Sequence, residues 1–234
     1  MYKENDLKLE YMDGRLCLIK NDTVFYGDFS RLKKRLTHAN LTHEMPVKAC
    51  RIKNKQMPVS VLDATAGMGE DALLLAAFGF DVTLYERDET IYKLLSDTLE
   101  RARADEVLLG AVSKMKLYFE DSIKAMGELK EKPDVIYLDP MFPLRTKSGL
   151  VKKKFQLIHD LEKPCEDEKE LLDAALSTAI TRVVIKRPIK GEYLAGVKPD
   201  YSIEGSTIRY DCINIKAKGE TKRSPPNAKT AAAK

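Results

Sequence analysis

The sequence has little of what would place it in a membrane, in a disulfide framework or around a metal. No stretch approaches the roughly 18 consecutive apolar residues of a membrane span, and Met1-Tyr2-Lys3-Glu4-Asn5-Asp6 carries no apolar signal-peptide region. A soluble, cytoplasmic chain with no membrane contact is expected. Cys17, Cys50, Cys165 and Cys212 are scattered with no C-x-x-C pair, so they read as reduced packing residues, neither a disulfide framework nor a zinc site. His38 and His43 stand in a polar stretch with no third ligand nearby, and no metal is expected. Nor is there an excess of positive charge over the body of the chain. The formal net charge is +4, but Lys218 to Lys234 holds five Lys/Arg and one acid, which leaves 35 basic and 35 acidic residues elsewhere. A case for nucleic-acid binding has to come from local patches.

What is present suffices for one large core. With 234 residues and 44% hydrophobic content, the chain is expected to form a main α/β domain over residues 46–217, preceded by a small β-rich extension over 1–45. A disordered basic tail is expected over 218–234, where Ser224-Pro225-Pro226 and Ala231-Ala232-Ala233 carry no apolar periodicity. Leu7 to Met12 alternates apolar and polar residues, Asp13-Gly14 is a hairpin turn, and Arg15 to Ile19 resumes as strand, with a further short strand around Thr23 to Tyr26. Arg31-Leu32-Lys33-Lys34-Arg35 is either a solvated cationic face or a nucleic-acid contact. Pro46 to Ile52 reads as a short helix. From Val59 onward strand and helix alternate. Strands are expected at 59–63, 81–85, 115–119, 135–138 and 183–185, and a hairpin closes the chain within 201–215. Helices are expected at 72–78, around Ile91, Leu94, Leu95, Thr98 and Leu99, after Ser122, and at 171–180.

The stretch Val61-Leu62-Asp63-Ala64-Thr65-Ala66-Gly67-Met68-Gly69-Glu70-Asp71 is a buried strand delivering an acid into a glycine turn that opens a helix. Glycine there allows dihedrals a Cβ forbids, and the helix start presents unpaired N–H groups to a nucleotide-like ligand. Gly67-x-Gly69-x-x-Ala72 also fits a dinucleotide fingerprint, so the turn alone leaves a nicotinamide dehydrogenase open. Glu86 ends the next strand, 23 residues after Asp63, a spacing that suits a carboxylate beside a bound ribose. Asp121 and Asp139 follow the third and fourth strands. Each acid could be a turn acid or helix cap; together they are expected to line one crevice at the carboxyl ends of a parallel sheet.

Asp139-Pro140-Met141-Phe142-Pro143 resembles the D/N-P-P-Y/F motif of S-adenosyl-L-methionine-dependent methyltransferases that modify exocyclic or amide nitrogens. An aromatic amine is a poor nucleophile because its lone pair is delocalised into the ring. By that resemblance the Asp139 carboxylate and the Pro140 carbonyl each accept one N–H and aim the lone pair at the methyl group, and Phe142 stacks on the base. Such catalysis works by alignment and by stabilising the charge that develops on nitrogen. A dehydrogenase leaves this loop unexplained.

The stretches Asp63 to Ala72, Tyr85-Glu86-Arg87, Val135 to Pro143, Lys147-Ser148, Leu150 to Lys153 and Val183-Val184-Ile185-Lys186-Arg187-Pro188 together resemble the RsmJ-type family, over roughly residues 40 to 216. These are bacterial enzymes that methylate N2 of one guanine in small-subunit ribosomal RNA. The resemblance implies a Rossmann-like class I methyltransferase sheet that uses S-adenosyl-L-methionine. It further implies cofactor contacts at Asp63, Gly67, Gly69, Glu70, Asp71, Glu86, Arg87, Asp121, Ser122 and Asp139. His38 to His43 stands where the family has a glycine-rich stretch, and Asp121-Ser122 where it has a serine pair. Leu144 to Lys154 carries Arg145, Lys147, Lys152, Lys153 and Lys154 without an acid, directly after the catalytic loop. These cations, with Lys186 and Arg187, are candidate contacts to phosphates of small-subunit ribosomal RNA or the ribosomal particle. An ordinary surface helix is the alternative for Leu144 to Lys154. The function alternatives are an amino-methyltransferase acting on a DNA base or protein amide, and an RNA-binding ribosome-assembly factor without turnover.

Overall fold

The computed structural model describes residues 7–140 and 167–216. Three antiparallel strands come first: β1 (Leu7–Met12), β2 (Arg15–Lys20) and β3 (Thr23–Phe25), with Leu7 opposite Lys20 and Leu18 opposite Phe25. A 3-10 helix follows at Phe29–Arg35, then α1 (His38–Leu41) and α2 (Met45–Cys50). The alternating part begins at β4 (Ser60–Asp63), α3 (Glu70–Phe78), β5 (Asp81–Glu86) and α4 (Glu89–Arg103). It continues through α5 (Glu106–Val112), β6 (Met115–Phe119), α6 (Ser122–Glu128) and β7 (Val135–Leu138). After α7 (Glu168–Thr178) and β8 (Arg182–Pro188), the hairpin of β9 (Tyr201–Glu204) and β10 (Ile208–Asn214) closes the chain.

The central sheet has the order β6-β5-β4-β7-β8-β10-β9. Strands β6, β5, β4, β7 and β8 are parallel, while β10 runs antiparallel to both β8 and β9. Strands covered on both faces need no polar side, and all four residues of β7 are buried. Helix α3 buries Ala72, Leu73, Leu74, Leu75 and Ala76 in succession, as a helix enclosed on every side should. In contrast, α4 buries one stripe, Ile91, Leu94, Leu95, Thr98, Leu99 and Ala102. Aspartates cap three helices: Asp88, Asp105 and Asp121 each accept two backbone N–H groups at the openings of α4, α5 and α6.

The N-terminal sheet rests on α4. Leu18 and Phe25 pack with Ile91 and Leu94, while Phe29 and Leu32 of the 3-10 helix join the cluster that holds Val47, Leu73 and Leu95. Three of the four cations of 31–35 are tied into the structure: Arg31 pairs with Glu70, Lys33 with Asp105 and Arg35 with Glu44. His38 stacks on Phe78 with ring centroids 6.0 Å apart. Cys17, Cys50 and Cys212 are free and buried; Cys165 lies outside the described residues. Among the described residues no helix is long and apolar enough to cross a membrane, and no group of three His, Cys, Asp or Glu is placed to hold a metal ion.

Candidate active site

From β4 the chain winds toward β5 and β6, and from β7 toward β8, so the carboxyl ends of β4 and β7 flank the switch point where open α/β sheets bind ligands. The loops leaving these ends are knitted together. The Ala64 N–H donates to Tyr137 O at 3.0 Å, the Ala66 N–H to Tyr85 O at 3.1 Å, and the Asp139 N–H to Thr65 Oγ1 at 2.6 Å.

The four acids behave in part as turn and cap residues, and Glu86 and Asp139 lie close enough to Asp63 for their charges to act on it. Asp63 Oδ1 accepts the Thr65 N–H at 3.1 Å. Glu86 accepts the Gly67 N–H at 3.0 Å on one oxygen and the Asp88 N–H at 2.8 Å on the other, tying the glycine turn to the end of β5. Asp121 Oδ1 caps α6, and its Oδ2 lies 3.4 Å from Arg87. Asp139 is one-third exposed, with Oδ2 2.8 Å from Lys186 Nζ. Lys186 Nζ also donates to Asp71 Oδ2 at 2.8 Å, and that oxygen receives the Tyr137 hydroxyl at 2.6 Å.

Electrostatics separate these carboxylates. Burial pushes Asp63 up to about 8, against the pull of the Thr65 N–H and with the charges of Asp139 and Asp71 adding to the rise. Burial also raises Glu86, against the N–H groups of Asp88 and Gly67. Asp139 is raised by burial, with the Lys186 ammonium opposing the rise. Burial works against the charged form of Lys186, but Asp139 and Asp71 hold it well above the ordinary lysine range.

The fold gives each candidate residue among those described a definite place. Asp63 is only 2% exposed and braces the turn instead of facing the cleft. The carboxylate of Asp71 is occupied by Tyr137 and Lys186, and Glu70 turns to Arg31. Gly67 and Gly69 are both left-handed, with φ of 51° and 70°. The clearance at Gly69 is toward the protein, since a Cβ would sit 2.9 Å from Leu95 Cδ1. Their N–H groups are also engaged, Gly67 to Glu86 and Gly69 to Ala66 O. Lys186 is held between two carboxylates at the site. Arg187 is buried and donates to Glu192 O and Glu168, so its guanidinium ties α7 to the sheet instead of meeting a phosphate. Arg87 bridges Asp121 and Asp167, and Ser122 is buried at the start of α6. Pro140 directly follows Asp139 and is buried. Phe142, Arg145, Lys147, Lys152, Lys153 and Lys154 lie outside the described residues.

Sequence reasoning did not find the Asp71–Lys186–Asp139 chain or the roles of Tyr137 and Thr65. One signal was available. Val135-Ile136-Tyr137-Leu138 and Val183-Val184-Ile185 are neighbouring apolar runs, the first followed by Asp139 and the second by Lys186-Arg187; Leu138 pairs with Ile185, which sets Asp139 beside Lys186.

The chemistry of this set suits S-adenosyl-L-methionine. That molecule carries a sulfonium, an ammonium and one carboxylate, a net positive charge, and the crevice holds Asp71 and Asp139 on either side of Lys186, with Glu86 at the neighbouring strand end. Helix α3 starts at Gly69 without a side-chain cap, a place that accepts a carboxylate.

Residues 2–215 match a family model described as "Putative SAM-dependent methyltransferase". Ribosomal RNA small subunit methyltransferase J of Marinobacter nauticus is 41% identical over 184 residues, covering 78% of this chain and 66% of that protein. Its counterpart from Thioalkalivibrio sulfidiphilus is 44% identical over 183 residues, covering 77% of this chain and 71% of that protein. The matched stretch thus spans about two thirds of these relatives' length. A crystal structure of a SAM-dependent methyltransferase from Neisseria gonorrhoeae superposes with a TM-score of 0.72 at 29% identity, covering 95% of this chain and 89% of that one.

Proposed function

This chain belongs to the SAM-dependent methyltransferase family, among the proteins named ribosomal RNA small subunit methyltransferase J, and from that premise we propose that it methylates the exocyclic N2 amine of a guanine in small-subunit (16S) ribosomal RNA. The substrate is the RNA itself or the ribosomal particle, and a ribosomal substrate places the protein in the cytoplasm. The observation that carries the reading is Asp139, a one-third-exposed carboxylate directly after β7, at the sheet's switch point, which opens the sequence Asp139 to Pro143.

When bound, S-adenosyl-L-methionine supplies an electrophilic methyl group. The uncapped start of α3 would hold its carboxylate, Glu86, which keeps a lone pair on each oxygen, would accept from the ribose hydroxyls, and Asp121 with Ser122 would meet the adenine. Asp139 and the Pro140 carbonyl each take one N–H of the amine, which fixes the direction of the nitrogen lone pair. Phe142 stacks on the guanine. As positive charge grows on nitrogen, the Asp139 carboxylate stabilises it, and the surplus proton leaves to Asp139 or to water. Arg145, Lys147, Lys152, Lys153 and Lys154 hold the neighbouring phosphates.

Labelled methyl transfer tests the reading, with small-subunit particles, naked 16S RNA, DNA and protein offered as substrates. Transfer confined to ribosomal RNA, free or assembled, is expected. Transfer to DNA or protein alone, or binding to particles with no transfer, would contradict it.

A further inference from the structure

Lys186 is a half-buried ammonium at the end of β8, its side chain 24% exposed. It stands 2.8 Å from Asp71 Oδ2 and 2.8 Å from Asp139 Oδ2. Behind Asp71 the buried Tyr137 hydroxyl donates to the same Oδ2 at 2.6 Å, so the lysine is seated from the core side. Asp139 Oδ1 has no hydrogen-bond partner among the described residues, while the Asp139 N–H is fixed by Thr65.

Resting on the amine-methylating reading above, we propose that Lys186 is a positioning residue for the amine-accepting carboxylate: seated by Asp71 and Tyr137, it fixes Oδ2 of Asp139 and leaves Oδ1 free for the target N–H. The arrangement has a physical purpose. A carboxylate in a crevice with three other acids tends to take up a proton, and a protonated Asp139 presents a donor where the amine needs an acceptor. One ammonium shared between two carboxylates keeps Asp139 ionised without quenching it, because Asp71 draws off part of the charge. Asp71 and Lys186 therefore act on Asp139 in opposite senses, Asp71 raising its pKa and Lys186 lowering it.

That opposition gives the test a readout that loss of packing would not produce. The Asp139 carboxyl is followed by carbon-13 NMR in cofactor-free, aspartate-labelled protein, assigned with Asp139→Asn. Lys186→Met is expected to raise the titration midpoint by about one pH unit or more, Asp71→Asn to lower it, and Lys186→Arg to stay near wild type. In the transfer assay the acid limb of kcat moves in the same two directions while the KM for RNA holds. If Lys186→Met does not fold, the downward shift in Asp71→Asn decides alone. Midpoints that stay at the wild-type value, or that move the same way in both variants, would overturn the proposal. Opposite shifts in the two variants, with a wild type that transfers no methyl group to ribosomal RNA, would instead overturn the substrate reading and uphold the hold of Lys186 on Asp139.

Discussion

In the proposed reaction Asp139 is the residue on which transfer depends, while Asp63 links the fold's stability to pH. Asp139→Ala leaves Lys186 its partner Asp71, so the crevice keeps a paired cation, but the amine loses its acceptor. A fall in kcat of about 100-fold or more is expected, with a smaller change in KM for the RNA, on the scale seen when one charge-stabilising contact is removed; single-turnover kinetics check it. Asp63, pushed up to about 8 from an ordinary 3.8, holds a proton in the folded state that the unfolded chain releases. Its contribution to stability is therefore whole below about pH 4 and is lost as the pH rises toward about 8. Asp63→Asn keeps an acceptor for the Thr65 N–H and removes the titration. Across that window the melting temperature of the cofactor-free variant should fall less steeply than that of the wild type, and parallel curves would count against the assignment. The identities of Asp63, Glu86, Asp121 and Asp139 were legible because each follows an apolar strand. Their bonding was not: the Asp71–Lys186 contact spans 115 positions of sequence, beyond the reach of any local pattern.

At the level of elements, β4, β5, β7 and β8 were legible from buried apolar runs and α4 from its single stripe. Helix α5 escaped notice because Asp105 both ends the pattern of α4 and caps the next helix, a role indistinguishable in sequence from an ordinary loop acid. The Arg31 to Arg35 cluster was ambiguous for a similar reason, its partners Glu70 and Asp105 lying 39 and 72 positions away. We propose that the change near residue 45 is one of architecture only and that the N-terminal sheet folds with α4 as a unit. Leu18 is fully buried against Phe25, Ile91 and Leu94. Leu18→Ala should cost about 2–5 kcal/mol in one cooperative urea transition, and a separate early transition for the N-terminal sheet would contradict the proposal. Because Leu95 of the same helix packs against Gly69, cofactor affinity is expected to weaken alongside.

For the whole molecule, balanced charge in the body outside 218–234 means that RNA affinity has to come from a local patch, and Arg145 to Lys154 is the densest one beside the Asp139 loop. Changing Lys152, Lys153 and Lys154 to Glu should weaken RNA binding and flatten its dependence on salt while cofactor affinity stays constant; filter binding across a salt series measures both. Unchanged RNA affinity would remove this patch from the interface. The parallel sheet with acids at its carboxyl ends was legible from strand spacing, whereas the sheet order and the meeting of Lys186 with Asp139 needed the strand pairing to be found. The most direct measurement is mass spectrometry of nucleosides from small-subunit ribosomal RNA of cells lacking this gene, complemented with wild type or Asp139→Ala. Loss of one N2-methylguanosine, restored by the wild type and not by the variant, is the expected result; an unchanged set of methylguanosines in the deletion strain would contradict the proposed reaction.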